Sequence, residues 1–369
     1  MKKKTGKFHN FIIKTFLVIN ILLTIVYLCS AFGGYGKPEH LSYLPLLVLS
    51  YPITVILNLL FGIAWLFVKK RYSLISFISI AVTLPQFLTF SPFNFNRFNK
   101  EKNSAGSYTL MTYNVYDLRK YSEADGNYGI EEIIKYDPDF VCMQEVWNAE
   151  NIKDVHGISD RQVKILQKRY PYRGGFYLGF YSKHPTQFIE SFKDDKYFCY
   201  EIYQTKIHEH DTYIINMHLE SIGLTDSDKE LYLELTNIKD KKKTIRGVRS
   251  QLMRKLKHAF VNRQNQSHLI KNAIDSLTQV NPKAEIIACG DFNDTPYSYS
   301  YRTIKGDFFD AYSEAGIGPV YTYNADRFFF RIDHIFYNGK NLEAVSTRRG
   351  KDKASDHYPL ITVFKERNY

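Results

Sequence analysis

Cysteine is scarce in this chain of 369 residues. The four cysteines are Cys29, Cys142, Cys199 and Cys289, and their spacing matches neither a disulfide framework nor a zinc site. Cys142 and Cys289 fall in apolar runs with the composition of strands, and Cys29 falls in a longer apolar run. Since unpaired cysteine commonly packs as a small hydrophobic residue, we expect these side chains to be buried.

Acidic residues are almost missing from the first 100 positions, which contain eleven lysines and arginines but only Glu39 as an acid. That segment therefore carries +10 of the chain's net charge of +11, and residues 101–369 carry +1. The basic balance belongs to the flanks of apolar runs, so it does not indicate a nucleic-acid partner. A composition of 44% hydrophobic and 24% charged residues leaves room for a sizeable folded core.

Three apolar runs, at about residues 11–34, 42–68 and 73–90, occupy most of this first segment. Each reaches or approaches the roughly 20 residues that a helix needs to cross a bilayer, so we predict three transmembrane helices. The third run is the shortest and contains Pro85. A cleaved signal peptide is the alternative for the first run, but its apolar length exceeds the usual signal core and two further runs follow.

The cations flanking these runs predict the topology. They precede the first run and separate the second from the third, whereas the connection at 35–41 carries only Lys37 and Glu39. Because positive flanks stay in the cytoplasm, three crossings place residues 101–369 on the far side, the periplasm for a bacterial inner membrane. We therefore predict a multi-pass protein with an anchor at 1–100 and a domain at 101–369, and an even number of spans would reverse the side.

From about residue 107 onward, short runs rich in β-branched and aromatic residues alternate with polar helical segments. Helices are predicted at 129–136, 159–169 and 247–279. Strands are predicted at Tyr108–Val115, Phe140–Glu145, Gly175–Ser182, Phe198–Lys206, Thr212–His218, Glu285–Gly290, Arg331–Tyr337 and Pro359–Phe364. This alternation predicts a layered α/β domain, in which sheet packing explains the many tyrosines and phenylalanines better than base stacking does.

Polar motifs lie where these predicted strands begin or end, which is where an open α/β sheet usually builds its site. They are Thr112–Val115, Met143–Val146, Asn216–Leu219, Gly290–Pro296, Arg331–His334 and Ser355–Leu360. Each motif alone has an ordinary explanation: Asn114 or Asp291 can end a strand in a turn, Glu145 can be solvated, and His218 can be a half-buried histidine.

The motifs together supply the parts that phosphoester cleavage needs. The oxygen donors of Asn114, Glu145 and Asp356 suit a hard cation such as Mg²⁺ or Mn²⁺. The imidazoles of His218 and His357 can donate protons or positive charge to phosphate oxygens. The carboxylate of Asp291 can act as a general acid or base.

Gly-Asp-Phe-Asn after an apolar strand, Ser-Asp-His near the C-terminus and Gln144-Glu145 upstream form a specific combination. With it, the chain resembles the endonuclease/exonuclease/phosphatase superfamily over residues 107–365. Members include pancreatic deoxyribonuclease, abasic-site endonucleases, inositol polyphosphate phosphatases and neutral sphingomyelinases. The resemblance implies a four-layer α/β sandwich, with two mixed β-sheets packed face to face and helices outside, here following three transmembrane helices.

The resemblance also implies a role for each residue. Glu145 is expected to be the principal metal ligand, with Asn114 and Asp356 around the same Mg²⁺ or Mn²⁺ ion. Asp291 is expected to handle a proton during attack by water, and Asn293 to orient Asp291 or the phosphate.

Three further residues are expected to complete the machinery. Asp333 pairs with His357 and favours its charged form, and His218 contacts the phosphate. Several nucleases of the superfamily give that second histidine a glutamate partner, which this chain does not provide at 181–183.

Departures from the family patterns narrow the substrate. The Cys-Asp-Arg signature of inositol phosphatases is replaced by Ile332-Asp333-His334, which disfavours that branch. Ser-Asp-His-Tyr-Pro also occurs in sphingomyelinase-like members, so a phospholipid head group stays open beside nucleic acid and small phosphoesters. A basic insertion at 239–263 either forms a solvated helical face or captures phosphates.

The sequence thus predicts a membrane-anchored, divalent-metal-dependent phosphoesterase. One alternative is a lipid phosphodiesterase similar to sphingomyelinase or phospholipase C. Another is a catalytically silent membrane protein that binds phosphorylated ligands. The second alternative is disfavoured because a binding protein need not keep both Asp291 and His357.

Overall fold

The computed structural model describes residues 2–95, 106–116, 129–146, 160–194, 198–222, 242–325, 328–351 and 353–367. Two parts are distinguished below: an N-terminal helical module, residues 2–95, and a domain that begins at strand β1. The predicted boundary at residue 100 lies outside the described residues, as do residues 239–241 of the basic insertion.

The helical module contains α1 (Lys2–Phe32), a 3₁₀ turn (Gly33–Tyr35), α2 (Leu44–Leu49), α3 (Tyr51–Val68), α4 (Lys70–Val82) and α5 (Leu84–Phe90). Among the described residues, two helical segments are long and apolar enough to cross a membrane, Phe8–Tyr35 and Tyr51–Val68. The third predicted span is a pair of helices, α4 and α5, that is bent by 71°.

Prolines explain where the predicted apolar runs break. Pro85 and Pro52 each occupy the first turn of a helix, α5 and α3 respectively. Proline is tolerated there because its missing N–H has no partner to lose, whereas a helix continuing through it from the preceding turn would lose a backbone hydrogen bond. The second run therefore divides into α2 and α3, and the third into α4 and α5.

Polar side chains join three helices of this module inside its apolar packing. Asn58 on α3 accepts a hydrogen bond from Thr24 on α1 (3.0 Å) and donates one to Ser79 on α4 (2.8 Å). Asn20 on α1 donates to Ser76 on α4 (3.1 Å). Interhelical hydrogen bonds contribute about 1 kcal/mol each and specify which helices pack together.

The domain alternates strands and helices as predicted. In chain order its elements are β1 (Tyr108–Asn114), α6 (Gly129–Tyr136), β2 (Phe140–Gln144), α7 (Asp160–Arg169), β3 (Tyr172–Gly174), β4 (Gly179–Ser182), β5 (Thr186–Lys193), β6 (Cys199–Ile207), β7 (His210–His218), α8 (Lys242–Val280), β8 (Glu285–Asp291), α9 (Tyr299–Lys305), β9 (Phe309–Asp310), α10 (Ala311–Ala315), β10 (Tyr323–Ala325), β11 (Phe328–Phe330), β12 (Asp333–Tyr337), β13 (Leu342–Arg349) and β14 (Leu360–Glu366).

The described strands form two mixed six-stranded sheets and a small hairpin, β10–β11. The first sheet has the order β13–β14–β1–β2–β4–β3, and the second has the order β5–β6–β7–β8–β12–β9. Each sheet has one parallel pair at its centre, β1 with β2 and β7 with β8, and its other pairs are antiparallel. This is the four-layer α/β sandwich that the sequence predicts.

Side chains alternate between two cores along each central strand, because both faces of these strands are buried. On β1, Leu110 joins the core between the sheets, and Met111 joins the core beneath the outer helices. Cys142 and Cys289 lie between the sheets, and Cys199 is also buried, so the expected burial is confirmed for these three. Cys29 is exposed on α1, where the expectation is wrong.

The structure contains strands that the sequence pattern does not predict. β5 is an edge strand with a largely exposed surface, and β13 contains charged residues, so neither has the apolar run of a central strand. The predicted strand at Gly175–Ser182 begins only at Gly179, because Gly175 takes a left-handed conformation (φ 128°) that ends the preceding strand.

Candidate active site

One edge of the sandwich collects all eight predicted site residues. Asn114, His218 and Asp291 each end a strand, and Glu145 follows directly after β2. Because each sheet has a parallel central pair, the carboxyl ends of these four strands meet at one edge. β12 and β14 run antiparallel to their neighbours, which brings their N-terminal ends to the same edge. Asp333 is the first residue of β12, Asp356 and His357 lie just before β14, and Asn293 lies in the loop after β8.

The Asp291 carboxylate lies at the centre of the group and is only 1% exposed. Its Oδ2 atom is 3.6 Å from Nε2 of His357, 3.7 Å from Nε2 of His218 and 3.0 Å from the amide nitrogen of Asn114. Its other oxygen accepts the backbone N–H of Asn293 at 2.8 Å. Burial raises the pKa of Asp291, and the two nearby imidazoles offset part of that rise.

His357 is buried between two carboxylates. Its Nδ1 atom donates a hydrogen bond to Oδ2 of Asp333 at 2.8 Å, which points Nε2 toward Asp291. Burial alone would lower the pKa of this imidazole, but Asp333 and Asp291 outweigh it and hold the pKa well above its ordinary range. The surroundings of His357 therefore favour its charged form, and its Nε2 atom is directed toward Asp291.

His218 approaches the same oxygen of Asp291 as His357 does. Its Nε2 atom is 3.6 Å from Oε1 of Glu145, and 3.2 Å from the side-chain nitrogen of Asn293. That Asn293 nitrogen also donates to the backbone carbonyl of Leu219 at 2.8 Å. Asn293 thus fixes the loop after β8 against the end of β7. His218 and His357 both lie next to the carboxylate of Asp291.

Several carboxylates lie close together at this edge, and a bound cation would offset their negative charge. Glu145 is the most accessible of them, with a side chain that is 37% exposed. Burial raises the pKa of Asp356, and the negative charges of Glu145 and Asp291 raise it further. Donor atoms of Glu145, His218 and Asp291 lie within 4.8 Å of one another, and so do those of Asp291, Asp333 and His357. The oxygen donors among them fit a hard divalent cation.

Asn114 takes a different part from the one expected of a metal ligand. Its amide nitrogen donates to Glu145 (2.9 Å) and Asp291 (3.0 Å), while its oxygen accepts the backbone N–H of Tyr116 (3.1 Å). In this arrangement Asn114 holds two carboxylates together. The ligand role implied by the resemblance places its oxygen toward the cation, which requires the amide to turn over.

Backbone conformation shows why these motifs need their residues. Gly290 has φ 147°, and a Cβ there would lie 1.9 Å from the carbonyl oxygen of Met217, so no other residue fits before Asp291. Glu145 (φ 53°) and Asn293 (φ 50°) take left-handed conformations that are uncommon for residues other than glycine. Such strain persists only where surrounding contacts hold it, and it concentrates at functional sites.

A buried polar pair lies directly beneath the site, and no role for it is predicted from the sequence. Gln144, at the end of β2, donates to Oδ1 of Asn216 on β7 at 2.7 Å. Asn216 in turn donates to the carbonyls of Met143 and Gly179, both at 3.1 Å. These bonds tie the first sheet to the second just below the catalytic edge. An amide pair at neighbouring strand ends, inside otherwise apolar strands, is the signal that could have indicated it.

The β10–β11 hairpin covers the C-terminal motif from one side. Tyr323 forms a bridge with His357, and their rings lie 5.1 Å apart. The backbone N–H of Asn324 donates to the carbonyl of Asp356 at 2.9 Å, and its side chain donates to the hydroxyl of Tyr358 at 3.0 Å. The hairpin therefore holds Asp356 and His357 against the ends of β1 and β8.

The profile of the Endonuclease/Exonuclease/phosphatase family matches residues 111–357, which include every residue of this edge. The chain belongs to that family. A second profile, of a domain of unknown function, matches residues 13–90 of the helical module. No curated protein matches the chain.

The solved structures that are similar to this chain have low sequence identity to it. Truncated TDP2 of Caenorhabditis elegans is 16% identical, with a TM-score of 0.48 over 70% of this chain and 98% of its own. The endonuclease/exonuclease/phosphatase from Bacteroides vulgatus is 17% identical, with a TM-score of 0.46 over 71% and 99%. The human Nocturnin catalytic domain with bound sulfate anion is 16% identical, with a TM-score of 0.44 over 71% and 95%.

Proposed function

We propose that this protein is a membrane-anchored, divalent-metal-dependent phosphoesterase whose active site is the edge built around Asp291. The observation that carries the proposal is the position of one buried carboxylate between two imidazoles, His218 and His357, with Glu145 and Asp356 nearby. Membership in the Endonuclease/Exonuclease/phosphatase family supports the same reaction class.

The residues of the site divide into groups that hold charge and groups that move a proton. A divalent cation held by Glu145 and Asp356, and by Asn114 once its amide turns over, would neutralise charge on the phosphate and on the leaving oxygen, and it is expected to be Mg²⁺ or Mn²⁺. His357, kept cationic by Asp333, is placed to donate a hydrogen bond to a phosphate oxygen.

Asp291 is the proposed general base. Burial makes its carboxylate a stronger proton acceptor than an exposed aspartate, and its Oδ2 atom is the one that faces the space between the histidines. His218 and Asn293 lie on the other side of that space, where they can bind a second phosphate oxygen. In this proposal Asp291 acts on the attacking water, whereas His218 and Asn293 bind a phosphate oxygen.

Membrane anchoring is part of the proposal. Phe8–Tyr35 and Tyr51–Val68 have the length and apolar composition of membrane spans, and the bent pair α4–α5 is the proposed third. With three crossings, the flanking cations place the domain outside the cytoplasm, facing the periplasm of a bacterial inner membrane.

A hydrolysis screen of the full chain in lipid nanodiscs tests the function. The substrates are double-stranded DNA, RNA oligonucleotides, nucleotides and phospholipids, each assayed with Mg²⁺, with Mn²⁺ and with EDTA. We expect metal-dependent release of phosphate or of a phosphomonoester from at least one class, and loss of that activity in Asp291→Asn. Metal-dependent binding of phosphorylated ligands without turnover would instead support the silent binding protein.

Hydrolysis of a phospholipid head group is the second candidate, and one observation favours it. Arg331, two residues before Asp333, donates to the carbonyl of Thr89 in the last turn of α5 at 3.1 Å. Two extended residues span about 7 Å, so the active-site edge lies close to one end of the helical module. In the screen, this candidate predicts turnover of phospholipid in the same nanodisc, together with slow turnover of soluble DNA and nucleotides.

A further inference from the structure

The loop that follows Asp291 and carries Asn293, called the catalytic loop, leads directly to a contact with the helical module. After Asn293 the chain runs through Asp294, Thr295 and Pro296 to Tyr297, and α9 begins at Tyr299. Tyr297 is 4% exposed and has φ 77°, a conformation that is strained for an aromatic residue. Some neighbouring structure must hold Tyr297 in this state.

That neighbouring structure comes from the helical module. Tyr297 belongs to an apolar cluster whose other buried members all lie in the module: Tyr27, Ala31, Val48, Tyr51 and Val55. The rings of Tyr297 and Tyr51 have centroids 4.4 Å apart. The buried apolar neighbours of the Tyr297 ring therefore come from the helical module.

The backbone of the module at Gly34 also lies in direct contact with the backbone of Tyr297 and Ser298. A Cβ added at Gly34 would lie 1.6 Å from the carbonyl oxygen of Tyr297 and 2.9 Å from the carbonyl carbon of Ser298. The glycine is needed because two backbone segments approach each other directly. Next to this point, the guanidinium of Arg302 on α9 lies 3.2 Å from the centre of the Tyr35 ring.

Inside the domain, Tyr297 is linked to the catalytic groups by a short and strained path. Asp294 is held by a hydrogen bond from Ser300 (2.6 Å), and its carbonyl accepts one from His334 (2.9 Å). Asn293, directly before it, donates to Leu219 and approaches His218. Only residues 294–296 separate Tyr297 from Asn293 along the chain, so a shift of Tyr297 acts on Asn293 through this short segment.

We propose that the helical module is a structural part of the active site, and that Gly34 and Tyr51 are positioning residues for the catalytic loop. They hold Tyr297 in its left-handed conformation, and Tyr297 keeps Asn293 and Asp291 in register with the two histidines. This inference rests on the proposed function for its kinetic consequence. Its structural consequence, an ordered loop, does not depend on turnover.

The test uses the full chain in phosphatidylethanolamine–phosphatidylglycerol nanodiscs, with bis(4-nitrophenyl) phosphate and Mg²⁺ as a small soluble probe. Tyr51→Ala and Gly34→Ala are expected to lower kcat about 10- to 100-fold, the cost of misplacing catalytic groups by up to about 1 Å. The KM should change less than about twofold, because neither residue reaches the substrate. Tyr51→Phe, which keeps the ring, should restore kcat.

The matched control is Tyr43→Ala, which removes an exposed tyrosine from the segment just before α2. Wild-type kcat in both Tyr51→Ala and Gly34→Ala would overturn the proposal. Equal losses of kcat in Tyr43→Ala and Tyr51→Ala would also overturn it, because damage to the module in general would then explain the result.

Amide hydrogen exchange provides the readout that is independent of activity. In Tyr51→Ala we expect faster exchange in 292–298, with unchanged exchange in β1 and β2. Unchanged exchange in 292–298 would overturn the proposal, and faster exchange in β1 and β2 as well would show global unfolding and likewise overturn it. If the wild type hydrolyses no phosphoester, the proposed function fails, while the exchange data still decide whether the module orders the loop.

Discussion

Nδ1 of His357 lies 2.8 Å from Oδ2 of Asp333, and both side chains are buried. The Asp333 carboxylate accepts this hydrogen bond from the imidazole. It therefore orients the ring and stabilises its charged form. Asp333→Asn keeps the shape but removes the charge, so we expect kcat to fall about 10²-fold, and His357→Ala to lower it by about 10²–10⁴-fold.

The measurement is steady-state kinetics on whichever substrate the screen identifies. His210→Ala is the matched control, since His210 is partly exposed at the start of β7 and pairs only with Glu366 among the described residues. A near wild-type kcat for either Asp333→Asn or His357→Ala would contradict the assigned roles.

Glu145 is the predicted principal metal ligand, and its substitution should act through the metal. Glu145→Gln keeps an oxygen donor but loses the charge, so we expect a higher Mg²⁺ concentration for half-maximal activity and partial recovery at high Mg²⁺. EDTA should abolish wild-type activity. Isothermal titration with Mn²⁺ measures the same loss of affinity without turnover, and Glu190→Gln, at an exposed position on β5, is the control. Equal Mn²⁺ affinity for wild type and Glu145→Gln would exclude Glu145 as the ligand.

Local sequence could indicate that the predicted site residues lie together, because most of them adjoin strand ends. Asn114, Glu145, His218 and Asp291 each adjoin a strongly apolar strand, and parallel pairing then brings such ends together. The fold followed from the same alternation of strands and helices, and from the resemblance that the motifs carry. These features depend on short segments, which a single sequence shows directly.

Other features depend on contacts between segments far apart in the chain. Nothing local to Tyr297 or Gly34 shows that one packs on the other, since the contact exists only after the module and the domain are placed. The Gln144–Asn216 bridge between the sheets was missed for the same reason. The edge strand β5 was missed because exposed strands need no apolar run.

The membrane topology makes a prediction that is independent of catalysis. Fusion of alkaline phosphatase to Tyr369 should give an active reporter, because three crossings place the C-terminus outside the cytoplasm, whereas a fusion at Lys70 should be inactive. Reporter activity in whole bacterial cells is the measurement, with fusion abundance checked by immunoblot. Inactivity of both fusions would mean that α4 and α5, bent by 71°, do not cross, and an active Lys70 fusion with an inactive Tyr369 fusion would mean that the whole topology is inverted.

The basic insertion, 239–263, overlaps α8 and ends where this helix contacts both the site and the helical module. Arg263 donates to the carbonyl of Glu220, two residues after His218, and Gln264 accepts the backbone N–H of Glu39. If the insertion captures a polyanion, replacing its cations with glutamine should raise KM and leave kcat unchanged. The residues to replace are Lys241, Lys242, Lys243, Arg246 and Arg249.

The salt concentration and a charge-matched control distinguish an insertion that captures a polyanion from one that only forms a solvated helical surface. The rise in KM should disappear as salt shortens the Debye length below about 8 Å. Replacing Arg161, Lys164 and Lys168 on the exposed surface of α7 with glutamine should leave KM unchanged. Equal KM for the wild type and the neutralised insertion, at low salt and on polyanionic substrates, would assign the insertion to a solvated surface.

A buried ion pair near the module predicts a pH-dependent stability. Nη2 of Arg331 lies 3.0 Å from Oδ2 of Asp310, and that oxygen also accepts hydrogen bonds from Tyr301 (2.7 Å) and Ser313 (2.8 Å). Burial would raise the pKa of Asp310, but the guanidinium and these donors outweigh it and lower the pKa. Asp310→Asn leaves Arg331 buried without its counter-charge, which should cost about 3–5 kcal/mol of unfolding free energy.

The sign of the pH effect follows from the lowered pKa. Asp310 binds its proton more weakly in the folded state, so its contribution is complete above the unfolded pKa of about 3.9 and is lost as the pH falls through the folded pKa. Thermal unfolding in nanodiscs at pH 7 should therefore show a lower Tm for Asp310→Asn than for the wild type. The two values should converge as the pH drops below about 4. Asp307→Asn, at an exposed position in the adjacent turn, should match the wild type at both pH values, and an equally low Tm for Asp307→Asn would remove the ion pair as the cause.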